Sequence, residues 1–293
     1  MDIPNFSLEI AAEPVLPVLV AAPHGGRSYS REILENFREP DCRVRLEDRH
    51  VDGLATEITR ESGAALLVAK VPRAVIDLNR APDDVDWGMI RGSKDSSTRR
   101  SLANRRARSG LGLVPRRLPG MGEIWKRPID RADLDHRIET VHRPYHGALG
   151  LALERIRDHW GAALLVDLHS MPPLRRRHPG ERTAEFVIGD RFGSSCSSRL
   201  VDCALNHLGA EGRLVAHNRP YSGGYVLDRH GAPRRGIHAM QIEVCRSTYL
   251  DARMETPSPR QPAISRLLSG LVSRLAAEVA ELGRGESFAQ AAE

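Results

Sequence analysis

The sequence predicts an α/β fold built on a mainly parallel sheet with helices on both faces. Two observations carry this. Short apolar runs rich in Val, Ile and Ala recur along the chain, and amphipathic helical patterns lie between them. Strands that alternate with helices are joined by crossovers, which make parallel neighbours and place helices on both sides of the sheet. The chain has 293 residues, enough for a substantial core, and no internal repeat is evident.

Taken in order, "PVLPVLVAAP" (14–23) reads as a strand ending at His24, and "SYSREILENF" (28–37) as a short helix. "DRHVDGLATEITRESG" (48–63) has an amphipathic period and a glycine stop, with Asp48 and Asp52 at its opening. "AALLVAKV" (64–71) is a strand, and "RAVIDLNR" (73–80) reads as another short one. Residues 133–160 form a long helix with Pro144 as a boundary or kink. "AALLVDLH" (162–169), "AEFVIGD" (184–190), "RLVAH" (213–217) and "IHAMQIEV" (237–244) read as strands. The first of these stops at Ser170, Met171 and two prolines. Helices are expected at 194–209 and, with a clean apolar stripe, at 263–283. The segment 81–130 is rich in Arg, Gly and Ser and has little periodicity, so it reads as an irregular insertion. A connection that long is commonly a functional lid, here over 84–109, or a subunit contact. No second domain boundary is evident, so residues 1–293 are expected to form a single domain.

Hydrophobic content of 41% with 28% charged residues is that of an ordinary folded protein. No apolar run is long enough for a membrane helix, and the acidic start "MDIPNFSLEI" lacks the pattern of a secretory signal, so the cytoplasm is the expected location. The net charge is +5, and three of the 43 basic residues are lysines. This arginine excess lacks the aromatic interleaving and reader motifs of nucleic-acid binding, so no nucleic acid is expected. Arginine also recognises small carboxylates through its fork of donors. Cys42, Cys196, Cys203 and Cys245 form no CxxC pair and are expected to be reduced.

Ligands of open α/β sheets bind beyond the carboxyl ends of strands. The polar residues at those ends are His24, Asp77, Asn79, Arg80, Asp167, His169, Gln241 and Glu243. A catalytic zinc site takes three protein ligands, often His/His/carboxylate, and keeps one position open. His24 and His169 suit it, with Asp48 as third ligand and Asp52 as the alternative. Water on zinc ionises near neutral pH, and Glu243 is the carboxylate to take its proton. Arg80 can fork onto a substrate carboxylate or pair with Asp77 or Asp83. Asp167, two residues before His169, points from the same strand face and is placed to orient it. Arg219 and Arg246 are further expected anion contacts, and Tyr225 and His238, in the same glycine-containing stretch, are further expected substrate contacts.

The ordered set "PHGG" (23–26), "EDRHVDGL" (47–54), "DLNR" (77–80), "GLGLVPR" (110–116), "YHGAL" (145–149), "DLHSMP" (167–172), "GGYVLDRHGAPRRGIHAMQIEVCR" (223–246) and "TYL" (248–250) resembles the N-formylglutamate amidohydrolase family. That family is similar in turn to zinc carboxypeptidases and aspartoacylases. The resemblance implies a phosphorylase/hydrolase-like three-layer α/β/α sandwich with a mixed, mainly parallel sheet, and one zinc ion per chain. It implies His24 and His169 as metal ligands, Asn79 and Arg80 as carboxylate binders, and Glu243 as general base, with Arg80 or His238 stabilising the oxyanion. The first motif departs from the wider group's His-x-x-Glu, because Gly25, Gly26 and Arg27 follow His24, so Asp48 and Asp52 both stand as the acidic ligand. The implied reaction turns N-formyl-L-glutamate into formate and L-glutamate, the last step of one histidine-degradation route. A deacylase or peptidase acting on a different acidic amide is the second enzyme reading. An arginine-rich nucleic-acid or scaffold protein with a vestigial site is the reading from another class.

Overall fold

The structure, a computed structural model, describes residues 4–92, 105–176 and 178–290, with the side chains of all but 105 and 286–290. Its strands are β1 (Phe6–Glu9), β2 (Val18–Ala22), β3 (Ala65–Ala69), β4 (Ile90–Arg91), β5 (Arg117–Leu118), β6 (Gly122–Glu123), β7 (Ile129–Asp130), β8 (Ala163–Met171), β9 (Phe186–Gly189), β10 (Val215–His217) and β11 (Ile237–Cys245). Its helices are α1 (Arg31–Asn36), α2 (Cys42–Leu46), α3 (Val51–Ser62), α4 (Arg105–Arg108), α5 (Arg131–Arg137), α6 (Arg143–Trp160), α7 (Ser198–Ala210), α8 (Tyr225–His230) and α9 (Gln261–Gln290). The chain forms two compact units: Met1–Phe6, Pro23–Glu47 and Ala69–Gly147, and Ser7–Ala22, Asp48–Val68 and Ala148–Glu293.

The second unit holds the seven-stranded sheet, apart from the end residues Phe6 and Ala69, in the order β1-β3-β2-β8-β11-β9-β10. β3, β2, β8 and β11 run parallel, as do β9 and β10, while β9 is antiparallel to β11. The sheet is therefore mixed and mostly parallel, as its alternation with helices predicts. β2, β8 and β11 are buried along their whole length, and β2 and the first half of β8 accordingly read as continuous apolar runs. Side chains alternate across the pleat. Leu164, Val166 and Leu168 of β8 and Met240, Ile242 and Val244 of β11 join one core with Leu54 and Ile58 of α3, Leu200 of α7, and Leu271 and Leu275 of α9. Asp167, His169, Gln241 and Glu243 occupy the alternate positions. Their registers pair Asp167 with Gln241 and His169 with Glu243. β8 also runs two residues further than its sequence suggests: Met171 still pairs with Cys245, and the ladder ends where Pro172 and Pro173 lack an N–H.

The first unit departs more from the sequence reading. "RAVIDLNR" (73–80) is a succession of turns and not a strand. Its polar backbone is satisfied locally and by loops: Val75 N donates to Pro72 O, Arg80 N to Asp77 O, and Asp77 N to Leu113 O. The helix expected over 133–160 is present but broken. A π-helical turn at Ile138–His142 joins α5 to α6, with Arg143 N donating to Ile138 O. Pro144 has no N–H for Thr140 O, and Asn5 Nδ2 donates to that carbonyl at 2.8 Å. The segment 81–130 is not simply irregular. β4 pairs with β7 and β5 with β6; Leu113, Val114, Ile124 and Trp125 are buried; and Phe37 stacks on Trp125 at 4.8 Å. Residues 93–104 of the lid expected over 84–109 lie outside the described residues. The four cysteines are free thiols, three of them buried.

Candidate active site

The second unit assembles a chain of polar contacts on the β8–β11 face. His169 Nε2–H donates to Asp167 Oδ2 at 2.9 Å, and His169 Nδ1 faces Asp48 Oδ2 at 3.0 Å. Asp48 comes from the turn before α3, and its other oxygen accepts from Arg246 Nη2 at 3.2 Å. Arg246 also donates from Nε to Ser170 Oγ at 3.0 Å. Beside His169 on β11, Glu243 Oε1 accepts from Gln241 Nε2 at 2.9 Å. Asp48, Asp167, His169, Gln241 and Glu243 are all buried. Burial alone would disfavour the imidazolium of His169, but Asp167, Asp48 and Glu243 outweigh it and hold its pKa well above the ordinary histidine range. Asp52, on the first turn of α3, is half-buried, so Asp48 is the acid placed against His169.

In the first unit, His24 follows the end of β2. Its loop packs tightly: a Cβ on Gly26 would lie 2.3 Å from the carbonyl oxygen of Val71, so only glycine fits there. His24 Nε2–H donates to Asp77 Oδ1 at 2.7 Å. Asp77 is fully buried and accepts also from Arg73 Nε at 2.9 Å and from the backbone N–H of Asn79 at 2.8 Å. Burial would raise its pKa, but Arg73, His24 and Arg80 hold it well below the usual carboxylate range. The "DLNR" turn is clamped from α6 and the π-turn before it. His146 Nε2 meets Leu78 O and His142 Nε2 meets Arg80 O, each at 2.9 Å. Arg80 donates from Nε to Leu111 O and from Nη1 to Asn79 O, and lies 3.9 Å from Asp77.

The remaining expected residues spread out. Arg219 is exposed, after Asn218 with φ 59°. Tyr225 opens α8 and accepts from Arg229 Nη1 at 3.0 Å. His238 requires a correction. It lies on the apolar-core face of β11, opposite in parity to Glu243 and roughly 16 Å from it along the strand at about 3.3 Å per residue. Its Nδ1 accepts the Ser197 N–H at 3.3 Å, so the ring joins β11 to the start of α7. The sequence reading did not foresee Asp77 as the partner of His24, nor Gln241 as the partner of Glu243. The Gln241 contact had a signal, because residues i and i+2 of a strand share a face. The partnership of His24 and Asp77 spans 53 positions and had none.

His238 and His230 carry a pH prediction. Burial pushes His238 down to about 4, and burial with neighbouring Arg229 pushes His230 down to about 4. Both folded-state values lie below that of the unfolded chain, which therefore takes up protons first as the pH falls. The stability is complete above about pH 6.5, and each ring removes at most about 1.4 kcal/mol per pH unit down to pH 4. Thermal melts of His238→Gln and His230→Gln should show a shallower acid slope than the unmodified chain. Identical slopes in all three would refute the assignment.

The N-formylglutamate amidohydrolase family model matches residues 16–250. The chain is 30% identical over 266 residues to the N-formylglutamate deformylase of Pseudomonas putida, covering 88% of this chain and 93% of that protein. It is 26% identical over 272 residues to the N-formylglutamate deformylase of Pseudomonas aeruginosa, with the same coverage. The crystal structure of N-formylglutamate amidohydrolase from Ralstonia eutropha JMP134 superposes with a TM-score of 0.83 at 31% identity, over 94% of this chain and 99% of that one. The Atu2144 gene product of Agrobacterium tumefaciens shares the fold, with a TM-score of 0.68 at 19% identity over 94% of this chain and 96% of that one. The chain therefore belongs to the N-formylglutamate amidohydrolase family and is an enzyme that hydrolyses an amide bond.

Proposed function

We propose that the enzyme hydrolyses N-formyl-L-glutamate to formate and L-glutamate, using one zinc ion per chain. The observation that carries this is a family match over most of the chain; His24, Asp48 and His169, each buried, are the proposed ligands. Two imidazoles and one carboxylate fit zinc, and three protein ligands leave one coordination position for water or substrate. Zinc, when bound, supplies Lewis acidity toward the formyl carbonyl and acidifies water.

The chain's own residues do the rest. Glu243 takes a proton from the attacking water and returns it to the departing amino nitrogen. Water oxygen bonds to the formyl carbon, the C–N bond breaks, and formate and L-glutamate leave. Asn79 and Arg80 are the proposed contacts to the substrate carboxylates, with Arg80 also countering the developing oxyanion. Arg219 and Tyr225 are further proposed contacts. Arg246, expected from sequence to meet substrate, is committed instead to Asp48 and Ser170, and its proposed role is to hold the acidic ligand. We assign the reaction to histidine degradation in the cytoplasm. No described helix is long and apolar enough to cross a membrane.

The test is amine release from N-formyl-L-glutamate, N-formyl-L-aspartate and N-acetyl-L-glutamate, side by side with added zinc. The formyl compound should lead its acetyl analogue by about 10- to 200-fold in kcat/KM, the usual worth of one carbon in a shaped pocket. A lead for N-acetyl-L-glutamate would make the enzyme a deacylase of a different acidic amide.

A further inference from the structure

The polar face of β8 and β11 has two rows. His169 and Glu243 pair in the upper row, and Asp167 and Gln241 pair one pleat repeat below. The proposed chemistry uses only the upper row. The lower row is buried, with Asp167 at 0% and Gln241 at 4% exposure. One repeat further down, the paired residues are Leu165 and Ala239. An apolar pair would continue that face without desolvating any polar atom, whereas a buried carboxylate or amide is costly unless fully bonded. Asp167 is not fully bonded: its Oδ1 is buried and makes no hydrogen bond among the described residues. Two bonds of the row point upward. Asp167 accepts from His169 Nε2, and Gln241 donates to Glu243 Oε1, each at 2.9 Å and each along its own strand.

We propose that Asp167 and Gln241 are a positioning row for the two reactive groups above them, an assignment that rests on the metal reading given above. Asp167 fixes the His169 ring with Nε2 protonated, so that Nδ1 is the nitrogen presented beside Asp48 Oδ2. Its negative charge also makes that nitrogen a stronger donor to a cation. Gln241 fixes the plane of the Glu243 carboxylate through Oε1. The row thus divides its effects: one member acts on metal affinity, the other on turnover.

Chelator competition for zinc and steady-state kinetics on N-formyl-L-glutamate at saturating zinc separate the two. Asp167→Asn is expected to weaken zinc binding by about 10- to 100-fold. Gln241→Leu is expected to lower kcat by roughly 10- to 100-fold with KM and zinc affinity unchanged, because a misaligned base loses rate and not binding. Nitrogen-15 spectra of histidine-labelled, zinc-loaded protein should show His169 bound through Nδ1 with Nε2 protonated. Binding through Nε2, or full zinc affinity in Asp167→Asn, overturns the role of Asp167; full kcat in Gln241→Leu overturns that of Gln241. His169→Ala keeps this inference distinct from the metal reading. Zinc binding that survives that change, or is missing from the unmodified chain, defeats both. Zinc lost there but undiminished in Asp167→Asn defeats only the positioning role.

Discussion

Glu243→Gln is expected to cut turnover of N-formyl-L-glutamate by about 100- to 10,000-fold, the usual reach of a positioned acid–base group. The substitution is nearly isosteric, and the new amide can still accept the Gln241 N–H through its oxygen. The β8–β11 ladder is a backbone feature and does not change. What disappears is the ability to take and return a proton. Zinc content should stay near one per chain, since Glu243 is not among the proposed ligands. Undiminished kcat would refute the base role. Loss of zinc together with kcat would show instead that Glu243 supports the metal site.

His169→Ala should release the zinc altogether on dialysis, and should also destabilise the fold. The ring stands between two buried carboxylates, Asp48 at 3.0 Å and Asp167 at 2.9 Å. Its removal leaves both facing a void without their common partner. Breaking a buried ion pair in this way costs about 3–5 kcal/mol, so circular dichroism must accompany the metal assay. Asp52→Ala is the counterpart: zinc content and melting temperature should be close to those of the unmodified chain. Zinc loss from Asp52→Ala with retention in Asp48→Ala would reverse the ligand assignment.

The sheet was legible because burial on both faces writes itself into composition. β2, β3 and β8 are Val, Leu and Ala runs that end or pause at polar residues, and β11 interleaves Ile, Ala, Met and Val with His238, Gln241 and Glu243. The polar set on β8 and β11 was legible through parity: Asp167 and His169 project from one face of β8, Gln241 and Glu243 from one face of β11, and the parallel register makes these the same face of the sheet. The same parity sets His238 apart from Glu243, with Met240 and Ile242 on the core face. "RAVIDLNR" misled because Val75, Ile76 and Leu78 look like strand material. Nothing local reveals that His142 and His146, more than sixty residues away, take its carbonyls. Short elements were missed for a related reason. α2 and α8 have five and six residues, too few for a helical period to stand out against loop sequence. "FSLE" of β1 carries no decisive pattern either.

The clamped turn at Asp77–Arg80 has an evolutionary reading. Its course is held through main-chain atoms: the Leu78 carbonyl by His146, the Arg80 carbonyl by His142, and the Asn79 amide by Asp77. The path of the turn and the identity of its displayed side chain are thus recorded in different residues. Under the proposed role of Asn79 as a carboxylate contact, a change of selectivity at that position leaves these three main-chain bonds to be made by the same partners. A library randomised at Asn79 and screened against neighbouring acyl amino acids tests this, with the histidine clamp left untouched.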